Sequence, residues 1–190
     1  MTTPIRVLGI AGSLRKGSFN RGLLRAAGEM LPEGMTLDVY ELGAIPLYNG
    51  DVEAQGVPEP VQDFQRRIEA ADALLFATPE YNYSMAGVLK NAIDWASRPS
   101  PARATQPFNG KPVAMMGASA GMMGTGRAQY HLRQSCVFLN MLPLNKPEVF
   151  VAAAQTKFDA SGKLVDETAR TLIRQLLDAL AAWTRRLQAR

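Results

Sequence analysis

Residues 5–20 read IRVLGIAGSLRKGSFN, and this stretch decides the predicted fold. Its first seven residues, Ile5–Ala11, are apolar apart from one arginine, and Gly12 follows them. A short apolar run of this kind is typical of a parallel strand that is buried on both faces. Over residues 18–31 the apolar side chains recur at helical spacing, and a proline comes next. The stretch therefore predicts a buried strand, a polar turn and a helix.

The same alternation of strand and helix continues along the chain. We predict four further strands over residues 36–40, 73–78, 112–118 and 147–151, and helices over residues 59–71, 88–96, 126–139 and 169–187. Residues 43–60 predict a surface loop and residues 98–112 a polar connection, because both are rich in turn-forming residues. Apolar strands that alternate with helices indicate an α/β fold. Five strands in 190 residues predict a flavodoxin-like, doubly wound, five-stranded parallel sheet in three α/β/α layers, as a single domain over residues 1–190.

The composition excludes several classes of protein. Of the 190 residues 47% are hydrophobic and 20% are charged, which is ordinary for a soluble globular chain and excludes collagen-like and low-complexity proteins. The single cysteine, Cys136, excludes an intrachain disulfide and a cysteine-ligated cluster. With one histidine, His131, we expect no metal site and no histidine-based catalysis. We interpret Cys136 as a buried, inert thiol and His131 as a structural or interface residue.

The charge balance bears on possible partners. The chain has 21 lysine and arginine residues and 17 aspartate and glutamate residues, so its net charge is +4 and its pI is near 9.4. This basic balance suits an anionic ligand such as a phosphorylated cofactor. The sequence has no zinc-finger spacing, no RNP-type aromatic motif and no long Lys/Arg run, so we expect no nucleic-acid partner. Its start does not resemble a signal peptide, and no apolar run approaches the ~18 residues of a membrane span. We therefore expect a cytoplasmic protein that has no contact with a membrane.

In a doubly wound sheet the ligand lies beyond the carboxyl ends of the strands, so the segments after strands one, three and four matter most. The first segment has Gly12 and Gly17 at P-loop spacing, but Ser18 and Phe19 stand where Lys-Ser/Thr would bind phosphate and magnesium, which excludes a nucleotide triphosphatase. What remains fits one phosphate monoester. Donors for it are the side chains of Ser13, Ser18 and Asn20, the guanidinium of Arg15 and the amides that begin the helix. The alternative interpretation is a Ser-capped helix preceded by a flexible basic turn.

This segment, G-S-x-R-x-x-S-x-N over residues 12–20, resembles the NADPH-dependent FMN reductase family, most closely its bacterial quinone and chromate reductase branch. In that family the loop holds the FMN phosphate. The resemblance implies that the cofactor is FMN. We predict that five residues of this loop bind it: Ser13, Arg15, Ser18, Phe19 and Asn20.

The segment after strand three carries the second resemblance. Residues 79–95 read PEYNYSMAGVLKNAIDW and are similar to the family signature P-E-Y-N-x-S-x-P-G-x-L-K-N-A-I-D-W. The resemblance implies that four residues line the isoalloxazine ring: Pro79, Glu80, Tyr81 and Asn82. Ala86 stands where the family usually has proline, so we expect a looser helix entry without loss of binding. Lys90 and Asp94 form either a helix-surface pair or an anchor for this loop.

The segment after strand four, residues 117–127, is rich in glycine, which permits close approach of the backbone to a ligand. Ser119 and neighbouring amides could reach the pyrimidine edge of the flavin, so we add Ser119 to the predicted cofactor-binding residues. Met122 and Met123 either form a soft substrate surface or pack under the loop. Thr125 interrupts an expected Gly-Gly pair and leaves the path of the loop open. Residues 127–134 also resemble the quinone and chromate reductase branch.

The resemblance implies an enzyme that moves hydride from NADPH or NADH through FMN to a small-molecule acceptor. Quinones are the expected acceptors, followed by chromate, azo and nitroaromatic compounds. We assign no catalytic acid or base, because the flavin carries the chemistry. Glu80 and Tyr81 are expected to shape the acceptor site. Two alternatives remain, a flavodoxin-like electron carrier, which the basic pI disfavours, and a flavin reductase that releases reduced FMN.

We also predict self-association into a homodimer or homotetramer. Aromatic and methionine side chains in the predicted loops and the following helix, Tyr83, Met122, Met123 and Tyr130, would expose an apolar surface in a monomer. Arg127 and Glu148 could pair across the subunit boundary. The alternative is that these side chains fold back over the flavin and need no partner.

Overall fold

The structure is a computed structural model, and it describes residues 4–98 and 105–189. Along the chain, the strands are β1 (Ile5–Ala11), β2 (Met35–Tyr40), β3 (Ala73–Ala77), β4 (Glu80–Tyr81), β5 (Ser84–Met85), β6 (Pro112–Ala118), β7 (Leu142–Pro143) and β8 (Val149–Val151). The helices are α1 (Phe19–Gly28), α2 (Gly50–Gln55), α3 (Glu59–Ala70), α4 (Gly87–Ala96), α5 (Gly126–Phe138) and α6 (Glu167–Gln188), with short 3₁₀ turns at Leu42–Ala44 and Ala154–Thr156.

The central sheet is parallel and doubly wound. Its strand order is β2-β1-β3-β6-β7, and β8 also pairs with β6. The chain therefore moves outward from β1 in both directions, so that β1 and β3 flank the switch point. At that point Ala11 pairs with Ala77, and the amide of Gly12 donates to the Ala77 carbonyl at 2.9 Å. The predicted flavodoxin-like α/β fold is confirmed.

The apolar core lies on both faces of the sheet, as the continuously apolar strands predict. Val7 and Leu75 pack with α1 and α6 on one face. Their neighbours Leu8 and Phe76 point to the other face and pack with α3, α4 and α5. Because side chains alternate across a strand, a strand buried on both faces must be apolar at every position. The result is the predicted three-layer α/β/α arrangement.

The fifth strand differs from its predicted form. It consists of two short pieces on β6, with Pro112 opposite Leu142 at the beginning and Met116 opposite Val149 further along. The prediction that a strand begins at residue 147 is wrong, because β8 begins at Val149 and Pro147 lies before it. Proline has no backbone N–H to donate to a neighbouring strand, and an edge strand tolerates such an interruption.

The segment over residues 43–60 lies on the surface as predicted, but it is not entirely a loop. It contains α2, whose N-terminus is capped by Asn49 and none of whose residues is buried. A fully exposed helix has no apolar stripe, so hydrophobic periodicity could not reveal it. The predicted polar connection over residues 98–112 falls partly on residues 99–104, which lie outside the described residues.

The closing helix α6 has the predicted amphipathic stripe. Ile173, Leu177 and Leu180 are buried against the sheet. Its first turn is capped by Asp166, whose Oδ1 accepts from the amide of Ala169 at 2.9 Å. Among the described helices, none combines the length and the apolarity that crossing a membrane requires.

Candidate cofactor site

The segments that follow β1, β3 and β6 line one open cavity at the carboxyl edge of the sheet. Its volume is about 430 Å³, within the range of about 300–1,000 Å³ typical of small-molecule and cofactor sites. All the predicted site residues except Asn82 line it, together with Met122, Met123 and Arg127. The strand order places these three segments side by side, because β3 lies between β1 and β6.

The first wall of the cavity is the turn before α1. Ser18 is the N-cap of α1, and its Oγ accepts from the amide of Arg21 at 3.4 Å. Ser13 and Ser18 are almost fully buried but both line the cavity. Because the first amides of a helix have no partners within it, this end of α1 favours an anion. The capped helix and the phosphate site are therefore compatible descriptions of the same turn.

Arg15 lies at the rim of this wall. The side chain is exposed, and its Nη2 donates to the carbonyl of Gly17 at 2.9 Å. The guanidinium carbon is 5.6 Å from the centre of the Phe19 ring, which in turn packs on Phe158. Arg15 therefore places a positive charge beside the start of α1 without belonging to the core.

Asn20 has a role that the sequence did not reveal. The side chain is 3% exposed, its Nδ2 donates to the carbonyl of Ala118 at 2.9 Å, and its Oδ1 accepts from the amide of Ala118 at 2.9 Å. The predicted phosphate donor thus joins the start of α1 to the end of β6. One N–H of its amide group remains available for a ligand.

The second wall is a tight hairpin. Glu80 pairs with Met85 and Tyr81 with Ser84, and the two turn residues, Asn82 and Tyr83, have φ angles of +49° and +69°. A two-residue turn with both φ values positive is the type I′ turn, which suits the right-handed twist of a hairpin. Tyr81 is half exposed and faces the cavity, whereas Asn82 lies at the hairpin tip and does not line it.

Glu80 turns away from solvent. Only 7% of its side chain is exposed, and its carboxylate forms an ion pair with Arg127. Its Oε2 also accepts from the amides of Arg127 and Ala128 at 3.1 and 3.4 Å. The guanidinium of Arg127 lies over the ring of Tyr83, 3.6 Å from its centre. The hairpin and the start of α5 are therefore held together.

The third wall is the glycine-rich loop, and its path is now defined. Thr125 is buried with a φ of +78° and its Oγ1 accepts from Nε2 of Gln129 at 3.1 Å. A Cβ at Gly117 would lie 2.5 Å from the carbonyl oxygen of Thr78, so only glycine fits there. The amide of Ser119 donates to the carbonyl of Val151, its Oγ donates to the carbonyl of Gly121 at 3.4 Å, and the residue lines the cavity.

Met122 and Met123 lie at the mouth of the cavity. They are 83% and 55% exposed, and both line it. This exposure favours the interpretation as a soft, adaptable surface over packing beneath the loop.

The structure also gives the surroundings of other residues that the sequence analysis singled out. His131 is exposed, and its Nδ1 shares a hydrogen bond of 2.8 Å with Oγ of Ser84, which links α5 to the hairpin. Cys136 is fully buried, and desolvation raises the pKa of its thiol to about 12, as expected for an inert thiol.

Lys90 and Asp94 form a helix-surface pair at 2.7 Å. Within residues 4–98 and 105–189, no cluster of three or more histidine, cysteine or acidic side chains could hold a metal ion.

The predicted pair of Arg127 and Glu148 has other partners within the chain. Arg127 is engaged by Glu80, and Glu148 accepts from the hydroxyl of Tyr130 at 3.1 Å. This hydrogen bond raises the pKa of Tyr130. Arg127 and Glu148 therefore each have a partner in their own chain. A contact between subunits does not require the two to pair with each other.

The residues of the cavity fit FMN. One wall offers hydroxyl, guanidinium and helix-terminal amide donors to a single phosphate. The hairpin offers Tyr81 as an aromatic face, and the glycine-rich wall lets the backbone approach a flat ring closely. The donors suited to a phosphate and the surface suited to a flat ring line the same cavity, as binding of one mononucleotide requires.

Comparison with known proteins agrees with this geometry. The sequence profile of the family described as NADPH-dependent FMN reductase matches residues 5–156. An NAD(P)H-dependent FMN reductase of Pseudomonas aeruginosa is 60% identical over 188 residues, which cover 99% of this chain and 100% of that protein. An NAD(P)H:quinone oxidoreductase of Solanum tuberosum is 47% identical over 98% of this chain and 96% of its own. The flavoenzyme NAD(P)H:(acceptor) oxidoreductase FerB of Paracoccus denitrificans has the same fold, with a TM-score of 0.85 and 33% identity over 96% of this chain and 98% of that one. This chain therefore belongs to the NADPH-dependent FMN reductase family.

Proposed function

We propose that this protein is an FMN-dependent NAD(P)H:quinone oxidoreductase. The observation that carries the proposal is the cavity at the switch point, where hydroxyl and guanidinium donors suited to one phosphate lie beside an aromatic face suited to a flat ring. The family and the names of its relatives give the same reaction. NADPH or NADH delivers hydride, and a quinone accepts it.

Bound FMN supplies the hydride transfer itself. The chain would bind and orient it: Ser13, Ser18 and Arg15 would hold the phosphate, and Pro79 and Tyr81, which line the same cavity, would form the wall beside the ring. No side chain is assigned the role of acid or base. The resemblance to the family implies a ping-pong sequence, in which NAD(P)H and then the acceptor would use the same open mouth of the cavity in turn.

We extend the proposal to a broad set of acceptors. The thioethers of Met122 and Met123 lie at the mouth of the cavity, and flexible, polarizable side chains adapt to acceptors of different shape. Chromate, azo and nitroaromatic compounds therefore belong to the proposed range beside quinones.

The experiment that tests the function begins with the flavin of the purified protein. Acid release and chromatography should give FMN rather than FAD, because the cavity offers groups for one phosphate. The protein alone should then oxidise NADPH or NADH steadily when a quinone is added. A flavin-loaded protein without turnover would be an electron carrier, and turnover that requires added free FMN after gel filtration would indicate a reductase that releases its flavin.

We also propose that one domain, spanning residues 1–190, assembles into a homodimer or homotetramer with the cavity near the subunit boundary. The support is an exposed surface beside the cavity formed by Tyr83, Met122 and Tyr130. Light scattering over a dilution series should give a mass of at least two chains. A monomeric mass at micromolar concentration with FMN fully bound would leave these residues as a lid on the cofactor.

The free thiol of Cys136 suits a reducing compartment and supports a location in the cytoplasm.

A further inference from the structure

One carboxylate connects two walls of the cavity. Glu80 begins the hairpin, and its two oxygens receive three donors from α5: the guanidinium of Arg127, the amide of Arg127 and the amide of Ala128. The residue at the N-cap of α5, Thr125, makes no capping hydrogen bond with its own side chain. Glu80, which lies 47 residues before Arg127 in the sequence, therefore acts as the cap that α5 lacks.

The same carboxylate offsets positive charge. The N-terminus of a helix carries a partial positive charge, and Arg127 adds a full one at the same place. The hydrogen bond from Arg127 to Glu80 raises the pKa of the guanidinium, which stays charged. Arg127 and Glu80 both line the cavity, and Nε of Arg127 is buried without a hydrogen-bond partner among the described atoms. The charge balance of this pair therefore acts directly on whatever occupies the cavity.

We propose that Glu80 is a positioning residue that fastens the hairpin to α5 and, by offsetting the charge of Arg127 and the helix end, holds down the reduction potential of the bound flavin. The inference rests on the proposed function, since it requires FMN in this cavity. Reduction adds electron density to the ring, so an uncompensated positive charge beside it would favour the reduced flavin. A role for Glu80 as a proton donor or acceptor is disfavoured, because its oxygens are already occupied by three N–H donors.

The test compares Glu80→Gln and Glu80→Ala with the wild type. Glutamine keeps a side-chain oxygen that can cap α5 but has no negative charge, whereas alanine removes both functions. The measurements are the Kd for FMN, from quenching of FMN fluorescence on titration of apoprotein, and the midpoint potential of the bound flavin, from equilibration with a reference dye. Neither measurement depends on turnover.

For Glu80→Gln we expect a Kd for oxidised FMN within about threefold of the wild type. We also expect the preference for reduced over oxidised flavin to rise at least about threefold, which is about 14 mV upward at 29.6 mV per tenfold for a two-electron couple. For Glu80→Ala we expect FMN binding to weaken about tenfold, because the hairpin is no longer fastened. Arg127→Gln removes the positive charge instead, so its midpoint potential should fall.

Asp166→Asn is the matched control. Asp166 also caps a helix and pairs with a cation, Lys157 at 2.6 Å, but it does not line the cavity. This variant should leave the FMN affinity and the potential unchanged, so it separates the charge beside the flavin from general effects of helix capping.

Three results would overturn the inference: a potential that is unchanged or lower in Glu80→Gln, a potential that does not fall in Arg127→Gln, or an equal shift in Asp166→Asn. The Arg127 variant decides the matter if the Glu80 variants do not fold. If the wild type itself binds no FMN, the proposed function fails along with this inference. If the wild type binds FMN and reduces quinones while Glu80→Gln leaves the potential unchanged, this inference alone fails.

Discussion

Asn20→Ala is expected to lower the free energy of unfolding by about 2–6 kcal/mol and to weaken FMN binding strongly. The variant leaves both the amide and the carbonyl of Ala118 without their partner in a place where Ala118 is 2% exposed. Each buried polar group left unsatisfied costs roughly 1–3 kcal/mol. Because the same contact joins the phosphate loop to the glycine-rich wall, the cavity loses its shape as well. Urea denaturation of the apoprotein and FMN titration measure the two effects.

Asn109→Ala provides the control for that experiment. Asn109 is exposed, and its Oδ1 accepts from Nδ2 of Asn140 at 2.8 Å. The variant Asn109→Ala therefore also removes a hydrogen bond made by an asparagine side chain. At the surface, water replaces the lost partner, and we expect a change within about 0.5 kcal/mol. If the two variants lose the same stability, Asn20 is an ordinary polar residue and not a connection between two walls.

The fold could be predicted because burial leaves a regular trace in the sequence. A strand that is covered on both faces must be apolar wherever it is buried. Strands β3 and β6 have that composition throughout, and β1 has it apart from Arg6, its one exposed residue. The same rule explains the failures. The exposed helix α2 buries none of its residues and so leaves no trace, and the last strand is interrupted where Pro147 cannot donate to a ladder.

The position of the cavity could be predicted as well, since the carboxyl ends of adjacent parallel strands must meet. The hydrogen-bond partners of individual side chains could not be predicted. Asn20 and Ala118 are 98 residues apart in the sequence, and no local pattern marks their contact. The hairpin turn at Asn82 was hidden because Tyr83, and not glycine, occupies the second turn position with positive φ.

The three walls of the cavity are fastened to one another. Asn20 joins the first to the third, and Glu80 joins the second to the third. Gly12 lets the first and second approach, because a Cβ there would lie 3.1 Å from Cδ of Pro79. A cavity whose walls are already fixed loses little conformational entropy when the cofactor binds. Arg15 is the exception, since it is exposed and, within residues 4–98 and 105–189, its contacts are with Gly17 of its own turn and with the Phe19 ring.

Arg15→Ala should therefore weaken FMN binding by about tenfold to a hundredfold without unfolding the protein. A charge-assisted hydrogen bond is worth roughly 1.5–3 kcal/mol net, which corresponds to that range of affinity. The side chain contributes nothing to the buried core, so the unfolding midpoint of the apoprotein should stay close to that of the wild type. Titration of apoprotein with FMN at low and moderate salt measures the change.

Lys16→Ala separates a direct contact from a general charge effect. Lys16 is the exposed neighbour of Arg15, and its removal changes the net charge of the protein by the same amount. Long-range attraction between exposed charges is screened by salt over about 10 Å at 0.1 M, whereas a hydrogen-bonded ion pair is screened much less. We therefore expect the deficit of Arg15→Ala to persist at moderate salt and that of Lys16→Ala to fade. If both deficits are equal and both vanish with salt, Arg15 attracts the phosphate only as a diffuse charge, and the phosphate is held by the serines and the start of α1.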